Sequence, residues 1–317
     1  MEAIYVKNIV KRYKNGVEAL NGLSLTVKKG EIFSLLGQNG AGKSTLINIL
    51  TTYLEPTSGT AKILGNDIYT ETDAVRRNIA CVAQKTSIDT YLSLKENMIL
   101  QSKLYKIPKE EAEVRMKILI SCFALERYLQ YPVSSYSGGV KRRLDIALNL
   151  MSNPQILFLD EPTVGMDIQS LMVMWNMMKK IRDELGTTIF LTTHYLEEAD
   201  DLSDTICIMR NGKEVVQGTP TELRELIKNN MLNIRFANKS EAISCFTELS
   251  EARNDIKLFL REEKILVHSK QSIEDLQAIS QWLFERKIKF EGIEIVQPTL
   301  EDVFLRLTEV NELEEIV

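Results

Sequence analysis

Long apolar runs are missing from this chain: no stretch of its 317 residues approaches the roughly 20 consecutive apolar residues of a membrane-spanning helix, so it is not expected to cross a bilayer. The first residues, Met1-Glu2-Ala3-Ile4-Tyr5-Val6-Lys7, lack the basic start, apolar core and small-residue cleavage site of a secretion signal. An excess of positive charge is absent too. The 39 Lys and Arg against 44 Asp and Glu leave a formal net charge of −5, which argues against nucleic acid as the main partner, because counterion release rewards basic surfaces. Cysteine is sparse: Cys81, Cys122, Cys207 and Cys245 stand far apart with no C-x-x-C pair, each in an apolar or amphipathic run. They read as buried free thiols of a reducing compartment, and no metal site is expected from them. The 44% of hydrophobic residues is ample for packed cores, and the length suits two domains.

Gly37-Gln38-Asn39-Gly40-Ala41-Gly42-Lys43-Ser44 matches G-x-x-x-x-G-K-[ST], the P-loop pattern, whose mechanism requires a strand entering and a helix leaving. Glu31 to Leu36 is a short apolar run fit for a buried strand, and Thr45 to Leu54 carries apolar residues at 46, 49, 50, 53 and 54, which is helical spacing. Gly37, Gly40 and Gly42 let the backbone wrap closely around phosphate, while the loop N–H groups and the helix N-terminus supply partial positive charge. Lys43 would reach the β- and γ-phosphates and Ser44 would ligate magnesium, with Asn39, Ala41 and Thr45 completing the phosphate contact.

Ile4 to Val6 and Leu23 to Val27 read as strands of a small β layer punctuated by Asn15-Gly16 and Lys29-Gly30. Tyr13 lies in that layer, either stacking on a nucleotide base or packing ordinarily. Ile79 to Ala83 is another apolar strand and leads to Gln84. From Leu92 to Leu129 the pattern is helical: Ser93 with Glu96 makes a capping box, Pro108 suits a first helical position, and Val114, Ile118, Leu119 and Cys122 share a face. Ser134 to Gly139 is a loop before the helix Val140 to Met151, whose first turn holds Lys141, Arg142 and Arg143. Cations are disfavoured at that end of the helix dipole, so either a bound anion relieves the conflict or the basic face is simply solvated. Ile156 to Leu159 is continuously apolar, as buried parallel strands are, and Asp160 and Glu161 follow at its carboxyl end, where ligands bind in open α/β sheets. Thr187 to Thr192 repeats the design with His194 just past its end. Thr205 to Met209 is a further strand, and Asn211-Gly212 reads as a two-residue hairpin turn.

Thr219-Pro220-Thr221-Glu222 starts a helix that runs to about Asn229-Asn230, where the composition changes and a domain boundary is placed. Beyond it the order is strand Leu232 to Phe236, helix Ala242 to Leu249, strands Ile256 to Arg261 and Lys264 to His268, helix Ile273 to Arg286, and strand Lys289 to Val296. That β-α-β-β-α-β order suggests a small ferredoxin-like module. A last helix, Leu300 to Leu307, has Thr299 as its cap, and the acidic tail Glu309 to Glu315 is expected to be solvated.

Tyr13, the P-loop, Gln84, Ser137-Gly138-Gly139, Asp160-Glu161, Asp167 and His194 occur in one order. Over about residues 1 to 220 this order resembles the ATP-binding-cassette (ABC) transporter ATPases. The resemblance implies an α/β fold: a P-loop NTPase domain over residues 1–230 with a mixed sheet, an N-terminal antiparallel β layer and a helical subdomain at about 85–135, then the α+β ferredoxin-like domain over 231–317. By resemblance Tyr13 stacks on adenine, Gln84 senses magnesium and the attacking water, and Asp160 holds Mg2+ directly or through water. Glu161 is the base that polarises that water, and His194 contacts the γ-phosphate. Asp167 lies at a subunit interface, and Ser137-Gly138-Gly139 completes the P-loop site of another subunit, so that ATP is sandwiched in a head-to-tail homodimer or heterodimer. The signature departs from the family's commonest form, with Tyr136 for Leu and Val140 for Gln, which puts in doubt the interaction normally made by that Gln.

Thr193-His194-Tyr195-Leu196-Glu197-Glu198-Ala199-Asp200 and Pro298-Thr299-Leu300-Glu301-Asp302-Val303-Phe304 resemble the daunorubicin-resistance type of exporter ATPase. Such subunits pair with separate transmembrane permeases of the ABC-2 type at the cytoplasmic face of the cell membrane, docking them through the helical insert and the Gln84 loop. The resemblance implies a drug, antibiotic or lipid-like cargo; a polysaccharide or peptide transporter would share the same site. A soluble ABC protein acting on ribosomes or DNA would carry tandem cassettes or a long coiled-coil insert, neither of which is visible. A P-loop kinase would leave Ser137-Gly138-Gly139 and His194 without a role.

Overall fold

The structure, a computed structural model, describes residues 1–226, 231–253, 256–268, 272–296 and 298–309. Its contacts divide the chain into Met1–Pro220 and Thr221–Val317. The boundary expected at Asn229-Asn230 and the acidic tail beyond residue 309 lie outside the described residues.

In the first unit a six-stranded sheet runs in the order Lys213–Gly218, Thr205–Arg210, Ile32–Leu36, Thr188–Thr193, Ile156–Asp160, Ile79–Val82. All neighbours are parallel except the hairpin pair Thr205–Arg210 and Lys213–Gly218. Every residue of Ile32–Leu36 and Thr188–Thr193 is buried, so both faces of these central strands are covered. Alternation along the strands divides them between two cores. Phe33, Leu35, Phe158 and Phe190 pack with Leu46 and Leu50 of the helix Lys43–Leu50 and with the N-terminal β layer. Leu157, Leu159, Ile189 and Leu191 pack on the other side with Leu144 and Ala147 of the helix Gly138–Leu150.

The N-terminal layer is an antiparallel sheet in the order Glu18–Lys28, Glu2–Arg12, Ser58–Ile63, Asn66–Asp67. Its third strand escapes a sequence reading because it buries only Ala61 and Ile63. The helix after the P-loop stops at Leu50, short of the expected Leu54.

Within the helical insert, the helix Leu94–Leu104 carries the expected capping box of Ser93 and Glu96. Two expectations for the helix Lys109–Cys122 are corrected. Pro108 is its N-cap rather than its first residue. Its core side is Ala112, Met116 and Leu119, while Val114 and Ile118 are exposed. Two apolar stripes at helical spacing run along this helix, and packing selects the one that shares Leu119 with Met116. The cysteine expectation is corrected in part: Cys207 and Cys245 are buried, but Cys81 and Cys122 are half-buried, Cys81 on the sheet's edge strand.

The second unit has the ferredoxin-like arrangement. Its sheet order is Lys257–Arg261, Lys264–His268, Met231–Arg235, Gly292–Val296, antiparallel throughout. The helices Lys239–Ala252 and Ser272–Glu285 place Ala242, Leu249, Ile279 and Leu283 against Leu232, Ile234, Ile265 and Val267. The last helix, Leu300–Glu309, is capped reciprocally: the Asp302 N–H donates to Thr299 Oγ1 at 3.2 Å and the Thr299 N–H to Asp302 Oδ2 at 2.9 Å.

Candidate functional site

Because the central strands are parallel, their carboxyl ends share one edge, and the residues that follow them meet there: Gly37 after Leu36, Gln84 after Val82, Glu161 after Asp160, and His194 after Thr193. The P-loop backbone could not be built from other residues. Gly42 has φ 106, and a Cβ there would stand 2.4 Å from the Ala19 carbonyl oxygen. The hairpin turn Asn211-Gly212, both residues at positive φ as its type requires, donates the Gly212 N–H to the Ala41 carbonyl at 3.0 Å and so braces the loop. Gln38, Asn39 and Gly40 are exposed at its crest.

Lys43 is only 5% exposed; its Nζ donates to the carbonyls of Gly37 at 2.7 Å and Gln38 at 3.3 Å, and lies 3.4 Å from Glu161 Oε1. Ser44 Oγ donates to Asp160 Oδ1 at 3.3 Å. The Thr192 hydroxyl donates to the same carboxylate oxygen at 2.6 Å and accepts the Glu161 N–H at 3.0 Å. Glu161 takes φ 45, an uncommon left-handed conformation for a non-glycine residue. Its carboxylate meets three side chains: Lys43, His194 through Nδ1 at 3.3 Å, and Gln84, whose Nε2 donates to Oε2 at 3.4 Å. Lys43, Ser44, Gln84, Asp160, Glu161 and His194 are thus one cluster.

Tyr13 lies just past the strand Glu2–Arg12, 37% exposed, so it is not core of the β layer. Its hydroxyl is 3.3 Å from Thr45 Oγ1, which places an exposed ring beside the P-loop helix, with the Lys11 ammonium 5.5 Å from the ring centre.

Ser137, Gly138, Gly139 and Asp167 stand apart from this cluster. Ser137 caps Gly138–Leu150 by accepting the Val140 N–H at 3.4 Å, and both glycines belong to the first turn. Asp167 caps Ile168–Leu185, accepting the Ser170 N–H at 2.8 Å and its hydroxyl at 2.7 Å; those bonds hold its carboxyl below the usual aspartate value. Among the described residues no hydrogen bond or ion pair joins these four to the P-loop.

The basic start of the signature helix is resolved in neither expected way. Lys141 is half-buried, and Arg142 and Arg143 are buried, at 5% and 7% exposure; their guanidinium groups donate to backbone carbonyls, and Arg142 also pairs with the Asp145 carboxylate of the same helix. Arg143 donates to the Phe123 carbonyl at 2.9 Å. Both departures of the signature also face inward: Val140 is buried, and the buried Tyr136 donates its hydroxyl to the Tyr128 carbonyl at 2.6 Å.

Sequence reasoning missed Thr192, which sits opposite Asp160 across the parallel ladder and is recognisable only once the strand order is known. It also missed Glu198, whose signal is a carboxylate inside an apolar helix stripe with Ala199 and Leu202. Glu198 is fully buried, accepts the Thr163 hydroxyl at 2.8 Å and the Trp175 indole N–H at 3.3 Å, and burial pushes its carboxyl upward. It therefore links the segment after His194 to the segment after Glu161.

A P-loop braced on a mostly parallel sheet, with a carboxylate pair at the end of a strand one removed from the P-loop strand, defines a P-loop nucleoside triphosphatase. The ABC transporter family pattern matches residues 20–164. Over 310 residues the chain is 35% identical to the daunorubicin/doxorubicin resistance ATP-binding protein of Streptomyces peucetius, covering 96% of this chain and 92% of that protein. It is 33% identical over 309 residues to the Nod factor export ATP-binding protein I of Sinorhizobium fredii, covering 96% and 86%. Among solved structures, cbiO1 of Clostridium perfringens, part of an ABC transporter complex, superposes with a TM-score of 0.66 at 28% identity, over 72% of this chain and 93% of that one. A dimeric ATP-binding cassette bound to ADP and phosphate superposes at 0.60 and 28% identity, over 68% and 98%. The chain belongs to the ABC transporter family as an ATP-binding ATPase subunit. No helix among its described residues is long and apolar enough to cross a membrane.

Proposed function

We propose that this chain is the ATP-hydrolysing subunit of a membrane exporter, coupling nucleotide-driven closure of an ATPase dimer to transport by separate ABC-2-type permease subunits at the cytoplasmic face of the cell membrane. The names of its relatives, drug resistance and Nod factor export, support export and a drug, antibiotic or lipid-like cargo. The observation that carries hydrolysis is the convergence of Lys43, Gln84 and His194 on the Glu161 carboxylate.

Phosphoryl transfer needs positioning and charge stabilisation more than covalent chemistry. Lys43 and the N–H groups from Asn39 to Thr45 bind the β- and γ-phosphates, and Tyr13 offers its exposed ring to the adenine. Glu161 polarises the attacking water, Gln84 orients it, and His194 contacts the γ-phosphate. Ser44 and Asp160 present a hydroxyl and a carboxylate oxygen 3.3 Å apart, hard donors that suit a Mg2+ ion completing its shell with phosphate and water oxygens. When bound, that ion neutralises charge developing on the phosphate oxygens. The exposed Ser137 hydroxyl and the N–H groups of Gly138 and Gly139 suit the nucleotide of a second subunit, with Asp167 at the interface. Residues 1–230 form the catalytic domain and 231–317 an accessory domain that supports or regulates the dimer.

Lys43→Ala is expected to weaken ATP binding about ten- to a hundredfold in a direct titration, the worth of charge-assisted hydrogen bonds; unchanged affinity would contradict the phosphate assignment. The intact chain is expected to purify with an integral membrane protein and to hydrolyse ATP in a Mg2+-dependent manner. Retention on ribosomes or DNA in its place would overturn export.

A further inference from the structure

The loop that carries Gln84 is held at both ends by one helix. At its start the Ala83 carbonyl accepts from Arg142 Nη1. At its end Asp145 Oδ1 accepts both the Ser87 N–H at 3.2 Å and the Ser87 hydroxyl at 2.8 Å. Arg142 and Asp145 are themselves an ion pair, 3.6 Å apart at i and i+3, and both are buried, at 5% and 1% exposure. The guanidinium has two further bonds: Nε donates to the Pro162 carbonyl at 3.2 Å and Nη2 to the Asp160 carbonyl at 3.2 Å. One planar, rigid fork therefore grips the backbone before Gln84, at Asp160, and just past Glu161, a geometry that a lysine cannot reproduce. Both residues lie on Gly138–Leu150, one and two turns beyond the Ser137-Gly138-Gly139 signature.

We propose that Arg142 and Asp145 are positioning residues: they fix the Gln84 loop and the Asp160-Glu161 backbone to the signature helix, and so set the distance from Gln84 to Glu161 at which hydrolysis proceeds. This rests on the proposed role of Glu161 and Gln84 in ATP hydrolysis. Neither Arg142 nor Asp145 touches the cluster's reacting side chains. Their effect runs through main-chain placement, and a misplacement of about 1 Å in such a site can cost a hundredfold in rate.

The test has two arms on the full chain. In the first, hydrogen exchange is followed without nucleotide: the Ser87 N–H is expected to be protected in the wild type and to lose protection in Asp145→Ala, while Thr188–Thr193 stays protected. Equal exchange at Ser87 in both proteins would overturn the clamp whether or not the chain hydrolyses ATP. In the second, ATP affinity and turnover are measured separately. Asp145→Ala and Arg142→Lys are expected to lower kcat about ten- to a hundredfold while the Kd for ATP stays within about twofold. Asp145→Asn, which keeps one acceptor oxygen for Ser87, is expected to recover part of the loss. Ser87→Ala, a change that leaves the buried pair intact, is expected to lower kcat by a few-fold and keeps the test valid if the buried variants fold poorly. A wild-type kcat in Ser87→Ala and in every variant that folds, or losses in kcat matched by equal losses in affinity, would overturn the proposal. Absence of turnover in the wild type would instead overturn the hydrolytic reading and leave the exchange arm to decide on the clamp.

Discussion

Glu161 sits in a left-handed backbone conformation that costs on the order of 1–3 kcal/mol for a non-glycine residue, and its surroundings explain why the chain keeps it there. The Thr192 hydroxyl accepts its N–H, and the turn aims its carboxylate at Lys43, Gln84 and His194 together. Glu198 is a fully buried carboxylate whose consequence is for pH-dependent stability. Burial raises its proton affinity above that of a free glutamate at 4.5, so the stability it contributes is fully present below that pH and is lost as pH rises through its folded value. Glutamine mimics the protonated form at every pH. The melting temperature of Glu198→Gln relative to the wild type is therefore expected to climb as pH is raised from 4 to about 8; a gap that stays constant would contradict the burial account. At this scale the sequence was readable where function sits in consecutive residues, as in Gly37 to Ser44, or at a strand end, as with Asp160-Glu161 and His194. It was not readable for Thr192, Arg142 and Asp145, whose partners are backbone or side-chain atoms of segments far along the chain that only the sheet order brings near.

The elements that frame the site differ in how much of their placement is local. The turn Asn211-Gly212 is set by two residues that tolerate positive φ, and its tip braces Ala41. A side chain at Gly212, where φ is +73, would place its Cβ 2.7 Å from the Ala19 carbonyl oxygen and 2.8 Å from the Leu20 Cα. Gly212→Val is expected to cost roughly 1–3 kcal/mol in thermal or denaturant unfolding and to weaken ATP binding through the loosened loop. An unchanged unfolding midpoint would show that the hairpin is not under this constraint. The capping box at Ser93 was legible for the same local reason. The helix Lys109–Cys122 was read correctly as a helix but turned to the wrong face, since Val114-Ile118 and Ala112-Met116 both satisfy a spacing of four and only tertiary packing chooses between them.

At the scale of the whole molecule, the parallel sheet gathers one cluster of side chains at its carboxyl edge, which the proposed function makes half of an ATP site. Four strand ends supply the P-loop, Gln84, Glu161 and His194, while Ser137 and Gly138 are exposed and make no bond to that cluster among the described residues. Under the proposed function, Ser137-Gly138-Gly139 would serve the nucleotide of a second subunit, and dimerisation would be part of the chemistry. The second unit was legible in outline because its β-α-β-β-α-β order is carried by short, self-contained patterns, and relatives that match 96% of the chain span it as well. The most direct measurement is ATP binding, turnover and association state of Glu161→Gln with saturating Mg2+ and ATP. Retained binding, hydrolysis slowed about a hundred- to ten-thousandfold, as expected on loss of a general base, and an ATP-dependent dimer by sedimentation are predicted. Turnover at the wild-type rate would contradict the role of Glu161 and with it the account of the site.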